Sequence, residues 1–230
     1  MLSTSSTYQA LLANPAHKKE ARLDINGVSY YADTLVSVRV SRSLFAGTTS
    51  TIGGCLSSKI EAELRLPSTA IPRMAKLEPF VRLTDGTNNS EWLPQGVFYI
   101  DTRQIDPETQ LLTLTGYDVM LKIDRQYTVS QTGWPKGYST IANEIASTIG
   151  TTVDSRTSFS SGLRAVRPTE TVTMRDMLAA IATVEAGNWY ITMQGKLRLV
   201  RVGEIPAETY LLTDDYGNPI SFGGVRILVN

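Results

Sequence analysis

Few residues of this sequence carry the side chains that catalyse reactions or bind metal ions. The chain contains one cysteine, Cys55, and one histidine, His17. A zinc finger, a zinc protease or a histidine-ligated catalytic metal each needs several such ligands, so one chain of this composition cannot build them. A disulfide within the chain is excluded for the same reason. A catalytic triad with a histidine base could rely only on His17.

Neither of these two residues has the sequence neighbours that catalysis requires. His17 precedes two lysines ahead of the first predicted strand. A general base needs an orienting partner and a pocket, so the sequence favours a solvated side chain here. Cys55 follows Gly53-Gly54, and a nucleophilic thiol needs a base or a positive local field. We therefore predict that Cys55 is a small buried or interfacial residue.

The remaining candidates for chemistry are carboxylate pairs, namely Asp214-Asp215 and Asp101 with Asp106. A glycan hydrolase needs two carboxylates across a cleft. The run Asp214–Pro219 is more typical of a turn. The two isolated Gly-Gly pairs match no nucleotide-binding pattern. The sequence thus predicts a protein that is not an enzyme, with no cofactor and no metal site.

The charge of the chain is balanced, with 22 basic and 22 acidic residues and no basic block. A dedicated nucleic-acid-binding role is therefore not expected. No apolar run approaches the roughly 20 residues of a membrane span. The start, Met1–Thr7, lacks the positive charge and the apolar stretch of a signal peptide. We expect a protein that is made in a cytoplasm and stays there or leaves by lysis.

The elements that must position any functional side chain begin near residue 20. Residues 1–19 predict an arm, either frayed or with a short helix over Tyr8–Ala13 capped by Ser6 or Thr7. From Glu20 the pattern has period two, and Asn26-Gly27 predicts a hairpin turn. Residues 20–118 hold about seven strands joined by turns, which is typical of a small antiparallel barrel or sandwich.

Two segments of this first region stand out. The loop Ala46–Ser58 is long and rich in small residues, and such loops are usually functional or mobile. The run Trp92–Asp101 places Pro94 and Gly96 between large apolar residues. That composition predicts a kinked strand at a structural corner, with Trp92 and Phe98 as its anchors.

The region 126–203 has a different pattern and predicts a small α+β domain. A helix is expected over Ser139–Ile149, ended by Gly150. A capping box at Thr173 predicts the start of a second helix. We interpret the methionine-containing apolar stripe of this second helix as part of the core rather than as a binding groove. A hairpin over 189–202 follows. Residues 204–230 predict further strands.

Three runs of residues resemble the N-terminal region of phage tail hub proteins. They are WLPQGVFYIDT (Trp92–Thr102), LTLTGYDVMLK (Leu112–Lys122) and GNWYITMQGKLRLVRV (Gly187–Val202). This family comprises the baseplate or tail-tip hub proteins of contractile and siphophage tails and of tail-like prophage elements. The resemblance covers about residues 20–203. It implies a mainly β, α+β fold, with a tail-tube-like β-barrel over 20–125 followed by the α+β domain over 126–203.

The resemblance also implies a role and partners. Hub subunits form a homo-oligomeric ring, a trimer or hexamer, that joins the tail tube or distal tail protein to the spike or tip protein. The location would be the virion tail, assembled in the bacterial cytoplasm, without sequence-specific nucleic-acid binding or membrane insertion. Fuller members have two barrels per chain, and 204–230 would supply only the first strands of a second. We therefore expect a fragment of a longer protein; otherwise six copies would be needed to close the ring.

Candidate contacts follow from that role. We predict that the small-residue loop makes the contact between subunits, through residues Gly47, Ile52, Gly53, Gly54 and Cys55. Two other functions stay open. One is a tail-tip carbohydrate-binding or adhesion module, which would need an exposed aromatic platform from Trp92, Tyr99 or Trp134. The other is the non-catalytic part of a cell-wall hydrolase, whose active residues would lie beyond residue 230.

Overall fold

The computed structural model describes residues 4–45, 51–65, 70–128 and 133–202, and the backbone of four short strands beyond them. The chain begins with helix α1 (Ser6–Ala13). Its N-cap is Ser5, whose hydroxyl accepts a hydrogen bond from the Tyr8 backbone N–H at 3.0 Å. The predicted helix is therefore confirmed, and its cap lies one residue before the two predicted positions.

The first unit is a single antiparallel sheet. Its strands are β1 (Lys18–Ile25), β2 (Val28–Tyr30), β3 (Leu35–Ser41), β5 (Lys59–Arg65), β6 (Lys76–Thr84), β7 (Leu93–Pro94), β8 (Phe98–Ile105) and β9 (Leu111–Tyr117), while β4 (Cys55–Leu56) belongs to another sheet. The order is β2-β1-β6-β8-β9-β5-β3, with β7 beside β6. Asn26 and Gly27 both have positive φ and form the predicted hairpin turn between β1 and β2.

The closed barrel expected for residues 20–125 is not formed among the described residues. The two end strands, β2 and β3, have no hydrogen-bonded partner on their outer sides. β2 has only three residues and pairs with the last three of β1, so the first half of β1 has a free edge beside β3. An open groove of about 410 Å³ marks this seam, with Val36 and Trp92 among its lining side chains. The sheet is therefore curled but open.

Alternation along the strands places one face of this sheet in the core. The strands contribute mainly aliphatic side chains and one large aromatic one, Phe98, which is 1% exposed. Gly96 has a φ of +118° and separates β7 from β8, as the predicted kink requires. The core of this unit ends before Asp118.

The second unit packs two helices on a small sheet. It comprises a 3₁₀ helix (Val119–Lys122), β10 (Lys136–Gly137), α2 (Tyr138–Ile149), β11 (Arg164–Ala165), α3 (Met174–Val184), β12 (Gly187–Ile191) and β13 (Leu197–Arg201). Helix α2 begins at Tyr138, one residue before the predicted start, and Gly150 ends it with φ +84°, as predicted. Helix α3 has the predicted capping box, because Thr173 and Asp176 exchange side-chain and backbone hydrogen bonds.

A separate hydrophobic cluster holds this unit together. Met174 is 2% and Met177 7% exposed, which confirms that the Met stripe is core. Trp189 is fully buried, and its indole N–H donates to the Leu178 carbonyl at 2.8 Å. The fold class is therefore α+β and mainly β, with two helices and a hairpin in the second unit, as predicted.

Four strands follow the second unit. They are β14 (Tyr210–Leu211), β15 (Ser221–Phe222), β16 (Val225–Arg226) and β17 (Leu228–Val229), and they pair as β14 with β17 and β15 with β16. That they begin a second barrel stays a prediction. Within the described part of the chain, no helix has the length and apolar character to cross a membrane.

Candidate interaction site

The loop that the sequence marks as functional attaches the first unit to the second. We call its described part, residues 51–58, the strap. Within it, β4 pairs in parallel with β12, so that Cys55 lies opposite Trp189. The Gly53 N–H donates to the Gly187 carbonyl at 2.8 Å, and the Trp189 N–H donates to the Gly54 carbonyl at 2.8 Å. The strap is thus an edge strand of the second unit's sheet, supplied by the first unit.

A fully buried amide fixes the strap. Asn188 is 0% exposed, and its side-chain oxygen accepts from the Gly54 N–H at 2.7 Å. Its side-chain nitrogen donates to the carbonyls of Thr51 at 2.6 Å and Leu44 at 3.0 Å. Buried polar groups are normally satisfied in this way, so this one side chain holds both sides of the loop.

Gly53 lies where the strap approaches helix α3 most closely. Its φ is +84°, and a Cβ built there would lie 2.4 Å from the Thr183 hydroxyl oxygen. The position therefore requires glycine for two reasons, a left-handed backbone and the lack of space. Sequence composition shows a Gly-Gly pair at this place but not the helix against which it packs.

We predict that Gly53→Ala lowers the free energy of unfolding by about 2–3 kcal/mol, because strain at positive φ adds to an overpacked contact. Gly86→Ala is the matched control, since Gly86 has φ +95° with open space around its Cα. That variant should lose only about 1 kcal/mol. Urea denaturation of both variants measures the difference, and equal losses would show that the contact with Thr183 is unimportant.

A second attachment lies at Cys55, the first residue of β4. The Arg175 guanidinium donates to the Cys55 carbonyl at 3.0 Å and pairs with Asp124 at 2.5 Å. The Cys55 thiol is half-buried, and this burial raises its pKa to about 12 although Arg175 lowers it in part. A thiol of this kind is protonated at neutral pH and contributes packing rather than nucleophilic chemistry.

Asp118 anchors the strap where it returns to the first unit. It is 2% exposed and accepts from the Ser58 backbone N–H at 2.7 Å, the Met120 N–H at 3.0 Å and the Ser57 hydroxyl at 3.0 Å. Burial raises the pKa of this carboxyl, and the three hydrogen bonds oppose that rise. One side chain therefore caps the 3₁₀ helix and fixes the end of the strap.

The predicted contact residues are thus placed as follows. Gly47 lies outside the described residues. Gly53, Gly54 and Cys55 bind within their own chain, while the Ile52 side chain is 50% exposed beside them. A contact between subunits through this loop stays a prediction. Among the predicted contact residues that the structure describes, Ile52 has the side chain that is exposed enough to make such a contact.

The two predicted anchors have different surroundings. Phe98 is in the core of the first unit. Trp92 lies on the outer face of the sheet, where the Arg82 and Arg22 guanidinium carbons are 4.6 Å and 5.1 Å from its ring. Tyr31 packs against the same ring at 6.4 Å. The indole of Trp92 therefore already stacks against two cations.

The other aromatic side chains considered for a glycan platform also contact cations. Lys122 lies 4.1 Å from the ring of Tyr99, and Lys136 lies 5.3 Å from the ring of Trp134. Each of the three aromatic residues thus has a different neighbour, and the described contacts do not bring them together into one surface.

The candidates for acid–base chemistry are likewise dispersed. Asp101 and Asp106 lie on an exposed hairpin, and Asp106 accepts hydrogen bonds from Glu108 and Thr109 in its own turn. Asp214 and Asp215 lie outside the described residues. The ring of His17 contacts the Asn14 carbonyl at 2.7 Å. Across the described ranges, no three His, Cys, Asp or Glu side chains approach closely enough to hold a metal ion.

Comparison with known proteins identifies structural relatives only. No family model matches the sequence, and no curated protein does so either. The fold is similar to that of the 43 kDa tail protein of prophage MuSo2 from Shewanella oneidensis, at 15% identity and TM-score 0.54, covering 84% of this chain and 59% of that chain. It is also similar to the tail protein from Neisseria meningitidis MC58, at 13% identity and TM-score 0.52.

These likenesses establish a shared fold over most of the present chain. The second covers 82% of this chain and 53% of the meningococcal protein. The chain therefore spans less than two thirds of the length of either tail protein.

A groove between the two units contains the most strongly perturbed carboxylate. Arg156 donates to both oxygens of Asp154 at 2.8 Å, and the Asp154 side chain is only 7% exposed. These hydrogen bonds hold the pKa of Asp154 far below its usual range, although burial opposes them; the Arg156 backbone N–H and the charges of Arg156 and Arg198 act in the same direction.

This pairing predicts an acid dependence of stability. Because the folded-state pKa of Asp154 is depressed, its contribution is fully present above the unfolded value of about 3.9 and declines steadily below it, as the pH approaches the folded-state value. Asp154→Asn should therefore be less stable than the wild type at pH 7, and the two should converge at low pH. Thermal unfolding measured from pH 7 to pH 2 tests this, and a constant difference between the two proteins would contradict it.

Proposed function

We propose that this chain is a structural subunit of a phage or phage-like tail, and specifically of the tail hub, where copies form a ring between the tail tube and the tip or spike. The fold match carries the proposal, because both tail proteins align with more than four fifths of the chain. The partners would be further copies of the chain, the tail tube or distal tail protein, and the spike or tip protein. The location would be the virion tail.

The charge of the chain supports such a role. The formal net charge is zero, and a ring through which DNA passes should not retain a polyanion. The strap supports it as well, since the hydrogen bonds of Asn188 and Arg175 fix the two units to each other. A ring subunit must present its contact surfaces in a fixed arrangement if the ring is to close.

The oligomeric state in solution tests the proposal. Negative-stain images of the purified chain, together with its mass in solution, should show rings of three or six copies with a central channel. A strict monomer that binds glycan would support the adhesion module instead. Turnover of cell wall that a single carboxylate substitution abolishes would support the hydrolase.

The proposed contact through the loop needs a variant that spares the strap. Deleting residues 47–55 would also remove the hydrogen bonds to Asn188, so loss of assembly would have two explanations. Ile52→Asp changes only a side chain that is half exposed. Monomers with unchanged stability would support the contact, and intact rings would contradict it.

A further inference from the structure

The groove between the units is lined by residues of both. Its volume is about 530 Å³. The first unit contributes Arg42 to its lining, and the second unit contributes the β12–β13 hairpin with Tyr190, Ile191 and Lys196. Asp154 and Arg156 also line it. We call it the basic groove. Tyr190 and Met193, both partly exposed, supply apolar surface there, so the groove offers both apolar contact and charge.

The charges of the basic groove are not balanced. Three cations line it with one carboxylate, and Arg156 already neutralises that carboxylate through two hydrogen bonds. Arg42 donates to the backbone carbonyl of Gln95 and lies 6.0 Å from the ring of Phe98, and although the charge of Asp118 acts on it, it forms no ion pair within the described part of the chain. Lys196 is exposed, and its amine has no hydrogen-bond or ion-pair partner in the described part of the chain. Two positive charges in the groove are therefore available to an acidic group.

The opposite imbalance occurs at the tip of the β8–β9 hairpin. All ten residues from 101 to 110 are exposed. We call residues 105–110 the tip, and its charged residues are Asp106 and Glu108. Arg103 is the one cation of residues 101–110, and it donates to the Ile71 carbonyl. Among the described residues, the carboxylate of Glu108 has no partner, while Asp106 accepts hydrogen bonds within its own turn. Ile105 is 52% exposed beside them, so the tip carries a net charge of −2 and an apolar side chain.

The tip and the basic groove lie at opposite ends of the first unit. At one end of the sheet, Tyr99 of β8 pairs with Tyr117 of β9, and Tyr117 pairs with Lys59 of β5. Lys59 in turn pairs with Ser41 of β3, the residue before Arg42, so this end lies next to the groove. At the other end, Ile105 pairs with Leu112. Seven residues of extended strand separate Tyr99 from Asp106, which is about 23 Å. The tip cannot reach the groove of its own chain.

We infer that the basic groove of one copy receives the β8–β9 tip of a second copy. The charges match, at +2 and −2, and the exposed Ile105 matches the apolar surface of Tyr190 and Met193. Because the two surfaces differ, the contact is heterologous and repeats from copy to copy, closing into a ring when the rotation allows. This inference rests on the proposed ring and names the contact that forms it.

A nucleic acid is a less suitable occupant of the basic groove. Binding to a phosphate backbone is driven by many cations along a continuous track, and here two unneutralised cations lie beside a carboxylate and an apolar surface. A short acidic hairpin with one apolar side chain matches this arrangement more closely.

Charge exchange between the two surfaces tests the contact. Lys196→Glu and Glu108→Lys each replace a side chain that is exposed and unpartnered, so neither should affect folding. Each is expected to raise the dissociation constant of the assembly at least about tenfold, because it places like charges together. Combining both in one chain should restore assembly to within about threefold of the wild type. An equimolar mixture of the two single variants should also form hexamers, in which the variants alternate and every groove meets a tip of opposite charge; a three-membered ring of the mixture keeps at least one mismatched contact.

Sedimentation velocity over a range of concentrations measures these constants. Arg73→Glu and Glu170→Lys are the controls, because both residues are exposed and have no described partner. Rings that form in the wild type and are unaffected by either reversal would overturn the inference and leave the ring proposal standing. A wild type that stays monomeric would overturn both. Binding of duplex DNA that Lys196→Glu abolishes, with assembly unchanged, would assign the groove to nucleic acid instead.

Discussion

Asn188→Ala is expected to lower the free energy of unfolding by about 3 kcal/mol and to release the strap from the second unit. The substitution removes three hydrogen bonds at a position that is fully buried. The Gly54 N–H, on a half-buried residue, loses its partner, and an unsatisfied buried group costs about 1–3 kcal/mol. Thr51 and Leu44 are exposed, so their carbonyls can bond to water and lose less. Urea denaturation gives the loss of stability, and limited proteolysis should show new cleavage between residues 44 and 56.

Two further variants make this result specific. Asn143→Ala is the matched control, because that exposed asparagine bonds only to the Ser139 carbonyl of its own helix; its loss should stay below about 0.5 kcal/mol. Asn188→Asp keeps an acceptor for Gly54 but loses both donors and buries a charge, so it should be at least as destabilising as alanine. A loss below about 1 kcal/mol for Asn188→Ala, with the strap still protected, would show that the pairing of β4 with β12 suffices.

The elements that the sequence predicts correctly are determined by neighbouring residues. Asn26-Gly27 forms its hairpin because both turn positions have positive φ. Thr173 and Asp176 form the capping box because they lie three residues apart on the first turn of α3. The helix and strand periodicities are local in the same sense, which is why both units could be predicted without knowing how they pack.

The strap could not be predicted in this way, because it joins residues that are far apart in the chain. Asn188 and Gly54 are separated by 134 positions, and β4, which has only two residues, is too short to show a periodicity. One signal was present: Asn188 is a polar residue inside the apolar strand Gly187–Ile191. Such a residue must find partners when buried, but its partners are not evident from its own neighbourhood.

The open sheet has a similar explanation. Strand count and turn chemistry predict the strands, and closure depends on whether the first and last of them meet. β2 is only three residues long, and Val36 introduces a register shift where β3 begins beside β5. These two features leave a seam beside β1 that no local pattern indicates.

A buried ion pair at the end of α3 gives the second large effect. The Glu185 side chain is 0% exposed and accepts from the Arg201 guanidinium at 2.5 Å. It also accepts from the backbone N–H and the hydroxyl of Ser160, both at 2.9 Å. Burial acts to raise the pKa of Glu185, but these hydrogen bonds outweigh it and hold the pKa below its usual value. The pair joins α3, β13 and the loop before α3.

Glu185→Ala should therefore lower the free energy of unfolding by about 3–4 kcal/mol, because it leaves Arg201 with an uncompensated and largely buried charge. Glu185→Gln should lose less, since the amide oxygen still accepts from Ser160. As the pKa of Glu185 is depressed, its contribution is present above about pH 4.3 and is lost as the pH falls through the folded-state value. The difference between wild type and Glu185→Gln in urea denaturation should thus shrink between about pH 5 and pH 2. A difference that stays constant over this range would mean that Glu185 contributes through packing alone, and that Arg201 is stabilised by water instead of by the carboxylate.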